Sequence, residues 1–397
     1  MGLNDTVSAE RLHIGFFGMR NAGKSSLVNA VTGQSLSVVS DVKGTTTDPV
    51  KKAMELLPLG PVVIIDTPGL DDEGELGALR VKKAKEMLAK TNIAVLVIDA
   101  TIGVSYADRE LIREIEKRKI PYIIAYNKAD LLDSKPEPEK NALYVSARLG
   151  HGINELKERL GEFAKAIANP KVIISDLLSV GDVVILVTPI DESAPKGRII
   201  LPQQMTLRDI LDAHAVAIVC QPDELKNTLE ALKHPPKMVI TDSQVFGRVS
   251  KDVPRSIPLT SFSILMARYK GDLVPLIRGF RALENLRDGD RVLISEGCTH
   301  HRQCNDIGTV KMPGWIEGFT GKKPTFEFTS GGEFPEDLSC YRVIVHCGGC
   351  MLGEAEMKSR IQRSTDADVP IVNYGIAIAG MHGILRRSLE LFKDEVF

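Results

Sequence analysis

Two groups of residues in this chain can do chemistry by type and spacing. The first is Gly18-Met19-Arg20-Asn21-Ala22-Gly23-Lys24-Ser25, a G-x-x-x-x-G-K-S run between an apolar strand pattern at 14–17 and a helical pattern through Leu27, Val28 and Val31. A strand before and a helix after make such a run a phosphate-binding loop. Its glycines let backbone amides curl around phosphate oxygens, Lys24 brings a point charge to the β and γ oxygens, and Ser25 can ligate Mg²⁺. Gly18, Asn21, Ala22, Gly23 and Ser26 complete the expected cradle. The second group is split between Glu296-Gly297-Cys298-Thr299-His300-His301-Arg302-Gln303-Cys304 and His346-Cys347-Gly348-Gly349-Cys350. C-x-x-C lets two thiolates face one centre, its glycines allow the tight turn, and Cys298 can supply a third thiolate.

Further motifs follow the phosphate loop in order, each at a strand end. A strand at 62–65 ends in Asp66-Thr67-Pro68-Gly69. An aspartate there is placed to hold Mg²⁺, usually through water, and Gly69 lets its amide approach a γ-phosphate. After a strand at 93–98 and a helix at 105–118, a strand at 121–126 delivers Asn127-Lys128-Ala129-Asp130. N-K-x-D selects the base: a carboxylate at Asp130 accepts hydrogens from guanine N1 and N2, a pair adenine cannot offer, and leaving it unmatched is costly. Ser146-Ala147, after a strand at 142–145, would cover the base with a backbone amide. Together these motifs resemble those of the GTPase superfamily, which makes GTP the expected ligand.

Asp41-Val42-Lys43-Gly44-Thr45-Thr46-Thr47-Asp48 resembles the switch I segment of the TrmE/Era branch of that superfamily. One of Thr45 and Thr46 would then ligate Mg²⁺ when GTP is bound, Thr46 being the better aligned, so the expected catalytic set is Lys24, Thr46 and Gly69. Asn21 resembles the asparagine that helps to hold K⁺ in that branch; a loop-closing turn is the alternative role. Leu70 stands where Ras-like proteins orient water with glutamine, so intrinsic hydrolysis is expected to be slow. Glu73 or Glu75 could orient water instead, although an acidic run is usually a solvated loop.

These residues need elements to position them. A helix at 154–168 ends at Asn169-Pro170 and closes a first domain, 1–170. Apolar strands at 183–188, 215–220 and 238–241, with helical patterns at 205–213 and 223–232, argue for a small parallel α/β domain over 171–260. His214, Cys220 and His234 read there as scaffold. An amphipathic pattern at 262–286, interrupted by Gly271 and Pro275, predicts a kinked or divided helix leading into a third domain, 261–397. In that domain strands at 291–295 and 341–345 run straight into the two cysteine groups, so a parallel sheet would gather both on one edge. A tetrahedral structural zinc site, a [4Fe–4S] cluster with one exchangeable position and a C-x-x-C redox pair are the competing inorganic readings.

Composition bounds the rest. Lys and Arg number 50 against 52 Asp and Glu, so a formal charge of −2 gives no general attraction to nucleic acid or anionic membrane. No apolar run approaches the ~20 residues a bilayer span needs, and the polar leader lacks a secretory core, so a cytoplasmic protein is expected. Met1-Gly2 fits the permissive myristoylation pattern as a chance match. Five of the six cysteines fall in the last hundred residues, which in a reducing compartment favours metal or redox chemistry over disulfides.

The arrangement C-x-H at 298–300, then 45 residues, then H-C-x-x-C at 346–350, resembles the signature of HydF, the GTPase scaffold family of [FeFe]-hydrogenase maturation. The resemblance covers the whole chain. It implies an α/β protein: a P-loop GTPase domain with a mostly parallel sheet and helices on both faces, then a small α/β dimerisation domain and an α/β cluster-binding domain. It further implies a homodimer in which Cys298, Cys347 and Cys350 ligate a [4Fe–4S] cluster, with His346 or His300 as a labile fourth ligand or close by. A diiron precursor made with the radical enzymes HydE and HydG would be the cargo and apo-hydrogenase HydA its recipient, with no nucleic-acid or membrane partner. Cys304, Cys340, Glu296 and Asp306 are weaker ligand candidates, His301 is expected to face solvent, and His382 either borders the cluster or is structural. The rival is a TrmE/Era-like regulatory GTPase with a structural zinc domain acting on RNA or ribosome assembly, which the lack of a basic face with interleaved aromatics opposes.

Overall fold

The computed structural model describes residues 10–34, 50–69, 83–167, 172–190, 199–297 and 307–396. It divides into two compact units, Met1–Pro170 and Lys171–Phe397.

The first unit is built on six strands, β1 (Leu12–Phe17), β2 (Val50–Leu56), β3 (Gly60–Asp66), β4 (Ile93–Asp99), β5 (Tyr122–Asn127) and β6 (Ala142–Tyr144), in the order β2-β3-β1-β4-β5-β6. All neighbours pair in parallel except β2 with β3. The central strands are apolar at nearly every position because both faces are covered. Ile14, Phe16, Val62, Ile64, Val95 and Val97 pack against helices Lys24–Thr32 and Ile153–Ile167, while Phe17, Val63, Ile65, Leu96 and Ile98 pack against helix Tyr106–Lys117 and a helical stretch at 83–88. Burying one Leu or Ile side chain in this way contributes about 1.5–3 kcal/mol. Helix Tyr106–Lys117 starts at Ser105 with a reciprocal capping box: Asp108 N donates to Ser105 Oγ and Ser105 N donates to Asp108 Oδ2. The phosphate loop, residues 66–69, the N-K-x-D turn and Ser146 all leave the carboxyl ends of parallel strands, where α/β sheets place their ligands.

The second unit holds two four-stranded, wholly parallel sheets on one shared core. The first comprises β7 (Val183–Val187), β8 (Val216–Cys220), β9 (Met238–Thr241) and β10 (Leu259–Ser261), ordered β10-β9-β7-β8. The second comprises β11 (Arg291–Glu296), β12 (Thr325–Ser330), β13 (Val343–His346) and β14 (Ile371–Asn373), ordered β12-β11-β13-β14. By chain position both run second, first, third, fourth, so strand order reverses between β7 and β9 in one and between β11 and β13 in the other. The expected 262–286 helix is divided: Phe262–Lys270 ends before Gly271, and Asp272, which accepts from Val274 N, caps helix Leu273–Glu284. Pro275 is tolerated in that first turn, where no intrahelical donor is needed. No described helix is long and apolar enough to cross a membrane.

Candidate nucleotide and cysteine sites

Gly18, Asn21 and Gly23 give the phosphate loop its shape through positive φ of 140°, 61° and 85°. A Cβ on Gly18 would stand 2.1 Å from the Val97 carbonyl oxygen, and one on Gly23 would stand 2.3 Å from Asn127 Nδ2, so neither position admits a side chain. Asn21 combines this left-handed backbone with an exposed side chain, and Ala22 is buried beneath it. Lys24 is buried and its Nζ donates to the Gly18 and Met19 carbonyls at 3.0 and 2.8 Å, which holds the ammonium across the mouth of the loop. Ser25 Oγ donates to Asp66 Oδ2 at 2.8 Å, joining the two residues expected around Mg²⁺, while Asp66 Oδ1 is buried without a hydrogen-bond partner. Ser26 lies in the first turn of helix Lys24–Thr32. Gly69 passes so close to Arg20 that a Cβ would approach its Cα to 2.7 Å. Thr45, Thr46, Glu73 and Glu75 lie outside the described residues.

Asn127 ties the base side to the phosphate side. Its Nδ2 donates to the Ala22 carbonyl at 3.0 Å, and its Oδ1 accepts from Ala147 N at 3.0 Å. Lys128 takes a left-handed backbone (φ 63°) and its Nζ meets Asp99 Oδ2 at 2.5 Å. Burial raises the Asp99 carboxyl, but hydrogen bonds from Lys128 and Thr101 outweigh it and leave that group below its ordinary range. A hydrogen bond from the Ser146 side chain likewise holds the Asp130 carboxyl low, so it is an ionised acceptor. Every described residue of the nucleotide set is thus at one edge of one sheet.

The described end of the first cysteine-bearing segment, Glu296-Gly297, meets His346–Cys350 where strand order reverses in the last sheet. β11 and β13 are parallel neighbours, in register from Val292↔Val343 to Ser295↔His346. Gly297 N, just past β11, donates to Cys347 Sγ at 3.0 Å, and Gly349 N donates to the same sulfur at 3.4 Å. Gly349 is left-handed (φ 63°), and a Cβ there would strike Met357 Sδ at 2.7 Å. Burial pushes the Cys347 thiol up to about 11 against these two amides. It raises Cys350 too, with nearby Lys270 opposing. His346 is fully buried; Arg360 Nη1 meets its Nε2 at 3.0 Å and its Nδ1 lies 2.8 Å from the Cys347 carbonyl. A guanidinium only donates, so Nε2 accepts and Nδ1–H donates to the carbonyl. Burial first, and Arg360 second, push the imidazole down to about 3, so it is neutral.

Cys298, His300, His301, Cys304 and Asp306 lie outside the described residues, and among the described ones no three metal-ligating side chains come together. Glu296 is buried at the end of β11 and accepts from Tyr374 Oη at 3.3 Å. Cys340 is exposed before β13, and Cys220 is buried at the end of β8. His382 follows helix Tyr374–Met381 and packs at Gly247, at the opposite end of that helix from Asn373. Arg360 and Lys270 are the residues that sequence reasoning missed. Both are buried cations against the cysteine strand or loop; Arg360 also bonds Ser295 Oγ, the Gly331 carbonyl and Glu356.

Residues 13–128 match the family model of 50S ribosome-binding GTPases. Residues 173–271 match the hydrogen maturase F dimerization domain and 274–391 the hydrogen maturase F tetramerization domain. Among curated relatives, the GTPase Der of Kosmotoga olearia is 32% identical over 191 residues, covering 43% of this chain and 43% of its own. The tRNA modification GTPase MnmE of Dechloromonas aromatica is 32% identical over 154 residues, covering 38% of this chain and 34% of its own. The chain thus spans less than half the length of these relatives. The solved structure of Era from Aquifex aeolicus is 19% identical, covers 53% of this chain and 92% of its own, and has a TM-score of 0.34. Because two models specific to hydrogen maturase F together cover more than half of the chain and follow a GTPase domain, the chain belongs to the hydrogen maturase F family, and its first unit is a P-loop GTPase domain.

Proposed function

We propose that this chain is a [FeFe]-hydrogenase maturation scaffold that hydrolyses GTP in its first unit and holds a [4Fe–4S] cluster in its second. With the cluster it carries a diiron precursor from HydE and HydG to apo-hydrogenase HydA. The observation that carries the cluster reading is the pair of backbone amides, Gly297 and Gly349, aimed at Cys347 Sγ where the last sheet reverses its strand order. Amide donors stabilise a cluster thiolate and tune its potential. Cys298 follows Gly297 directly in the chain, which supports Cys298, Cys347 and Cys350 as the three thiolate ligands. His300 and His346 are the histidines available for the fourth position; His346 would have to release Arg360 or the Cys347 carbonyl to reach iron. Segments 171–260 and 261–397 act as dimerisation and cluster-binding domains in this reading, and the homodimer works in the cytoplasm.

On the nucleotide side, Asp66 Oδ1, buried and unpartnered beside Ser25, fits Mg²⁺ held by Ser25, Asp66 and Thr46 or Thr45. Mg²⁺ supplies charge neutralisation on the phosphates. Lys24 and the Gly69 amide address the phosphate oxygens, Asp130 reads guanine, and Asn21 offers K⁺ a place at the loop. Hydrolysis is slow and faster in potassium than in sodium chloride; equal rates would remove the potassium role. Nucleotide state governs partner binding, and equal partner affinities with GDP and a non-hydrolysable analogue would refute that.

Anaerobic reconstitution with iron and sulfide, followed by EPR of the reduced protein, tests the cluster. About four irons per chain, a reduced-cluster signal, and loss of both in Cys298→Ser, Cys347→Ser, Cys350→Ser support it. Zinc in place of iron, with no signal, overturns it.

A further inference from the structure

Lys270 ends helix Phe262–Lys270, within the segment matched by the dimerization model, and is only 2% exposed. An ammonium taken out of water needs oxygens around it, because an uncompensated buried charge costs far more than one hydrogen bond returns. Two of the oxygens it finds are main-chain carbonyls of the cysteine loop: Nζ donates to Cys350 O at 3.1 Å and to Leu352 O at 2.9 Å. These carbonyls bracket Met351, where the loop turns before helix Glu354–Asp366. The helix that carries Lys270 starts at the carboxyl end of β10, where Ser261 Oγ accepts from Ile264 N. At the same end Ser263 meets β14 and the helix that follows it, accepting from Asn373 Nδ2 on its carbonyl at 2.9 Å and from Gly375 N on its hydroxyl at 3.2 Å. The last helix of the segment matched by the dimerization model is thus fastened at both ends to the segment matched by the tetramerization model, and its last residue holds the loop that presents Cys350.

We propose that Lys270 is a positioning residue for the cysteine loop: by cross-linking the Cys350 and Leu352 carbonyls it holds Cys347-Gly348-Gly349-Cys350 in ligand-ready form without metal and ties that loop to the dimerisation sheet. The purpose of the clamp rests on the cluster reading above, whereas the clamp itself belongs to the metal-free chain. Hydrogen bonds to a charged group hold more strongly than neutral ones, and a tenfold change in an equilibrium corresponds to about 1.4 kcal/mol. Removing them opens the loop at least about tenfold more often.

The test uses the full-length chain as wild type, Lys270→Met and Lys270→Gln. In metal-free protein, alkylation by iodoacetamide is followed at each cysteine by mass spectrometry, with buried Cys220 as the internal reference. Cys350 should react at least about tenfold faster in the Met variant and at an intermediate rate in the Gln variant, which keeps a donor without the charge. Cys220 and GTP turnover should stay at wild-type rates. Wild-type reactivity of Cys350 in both variants overturns the proposal, and so does an equal rise at Cys220, which would mean general loosening of the core. Should the Met variant fail to fold, the Gln comparison decides alone. After reconstitution the variants should lose iron to a chelator faster than wild type. A wild type that holds no iron sinks the cluster reading and leaves the alkylation result to judge the clamp.

Discussion

Asn127 bonds the Ala22 carbonyl and the Ala147 amide at once, so the glycine-rich loop, the N-K-x-D turn and the Ser146-Ala147 turn are pinned to one another. Asp130 stands in that N-K-x-D turn as an ionised acceptor. Asp130→Asn replaces an acceptor of two hydrogens by a group that both donates and accepts, which suits xanthine and not guanine. GTP affinity should fall by at least about a hundredfold while xanthosine triphosphate gains; an unchanged GTP Kd by calorimetry would remove Asp130 from base recognition. The Asp99–Lys128 contact gives a pH test. A depressed carboxyl binds more protons unfolded than folded, so its stabilisation is complete above the ordinary carboxylate range and fades as pH falls through the folded value. Asp99→Asn should lower first-unit stability by at most about 1 kcal/mol near neutrality, and the gap to wild type should close in melts below about pH 4. A gap that persists in acid would mean that Asn disturbs packing instead. G-x-x-x-x-G-K-S, N-K-x-D and C-x-x-C stood out in the sequence because such patterns tolerate few substitutes, and the structure sets the described residues of each at a strand end. Lys270 and Arg360 did not: Lys270 bonds main-chain carbonyls, and Arg360 reaches His346, Ser295 and the Gly331 carbonyl far along the chain, so neither leaves a local pattern in the sequence.

Continuous apolar runs announced the parallel strands, because a strand covered on both faces has no polar side to hide it. Three edge strands escaped, one of them the three-residue β10. β2 reads Val-Lys-Lys-Ala-Met-Glu-Leu and is largely exposed, and β12 reads Thr-Phe-Glu-Phe-Thr-Ser and is only half covered. Both are held by pairing with the neighbouring strand, which no local periodicity records. The helix break at Gly271-Asp272 was legible from Gly271 and Pro275, whereas Gly279 was not: its role is contact, since a Cβ there would fall 1.9 Å from the Ile371 carbonyl oxygen. Gly279→Ala should therefore destabilise the second unit by about 3 kcal/mol, and an unaltered melting temperature would contradict this packing. β8 ends its sheet with Val216 and Val219 each about half exposed. An apolar edge strand is a template for pairing with another chain, and lysine is the usual protection. Val216→Lys with Val219→Lys should raise the dissociation constant of the proposed homodimer at least about tenfold, read by sedimentation equilibrium. An unchanged constant would place the dimer contact on another surface.

The two units have separate cores: the apolar clusters of the GTPase sheet share no residue with the cluster that joins the two later sheets. Hydrophobic burial is the main source of cooperativity, so each unit should unfold as its own transition. A ligand bound only by the folded first unit stabilises that unit by about 2.7 kcal/mol at 100 times its Kd. Calorimetry of the metal-free chain should accordingly show two transitions. A non-hydrolysable GTP analogue with Mg²⁺ should raise one, and Gly279→Ala should lower the other. Were both transitions to move together under either change, the units would be a single cooperative body, and nucleotide state could reach the cysteine loop directly through the protein core. Independent shifts would instead require the nucleotide signal to act at surfaces, through switch segments that a partner protein touches, as the proposed scaffold function expects.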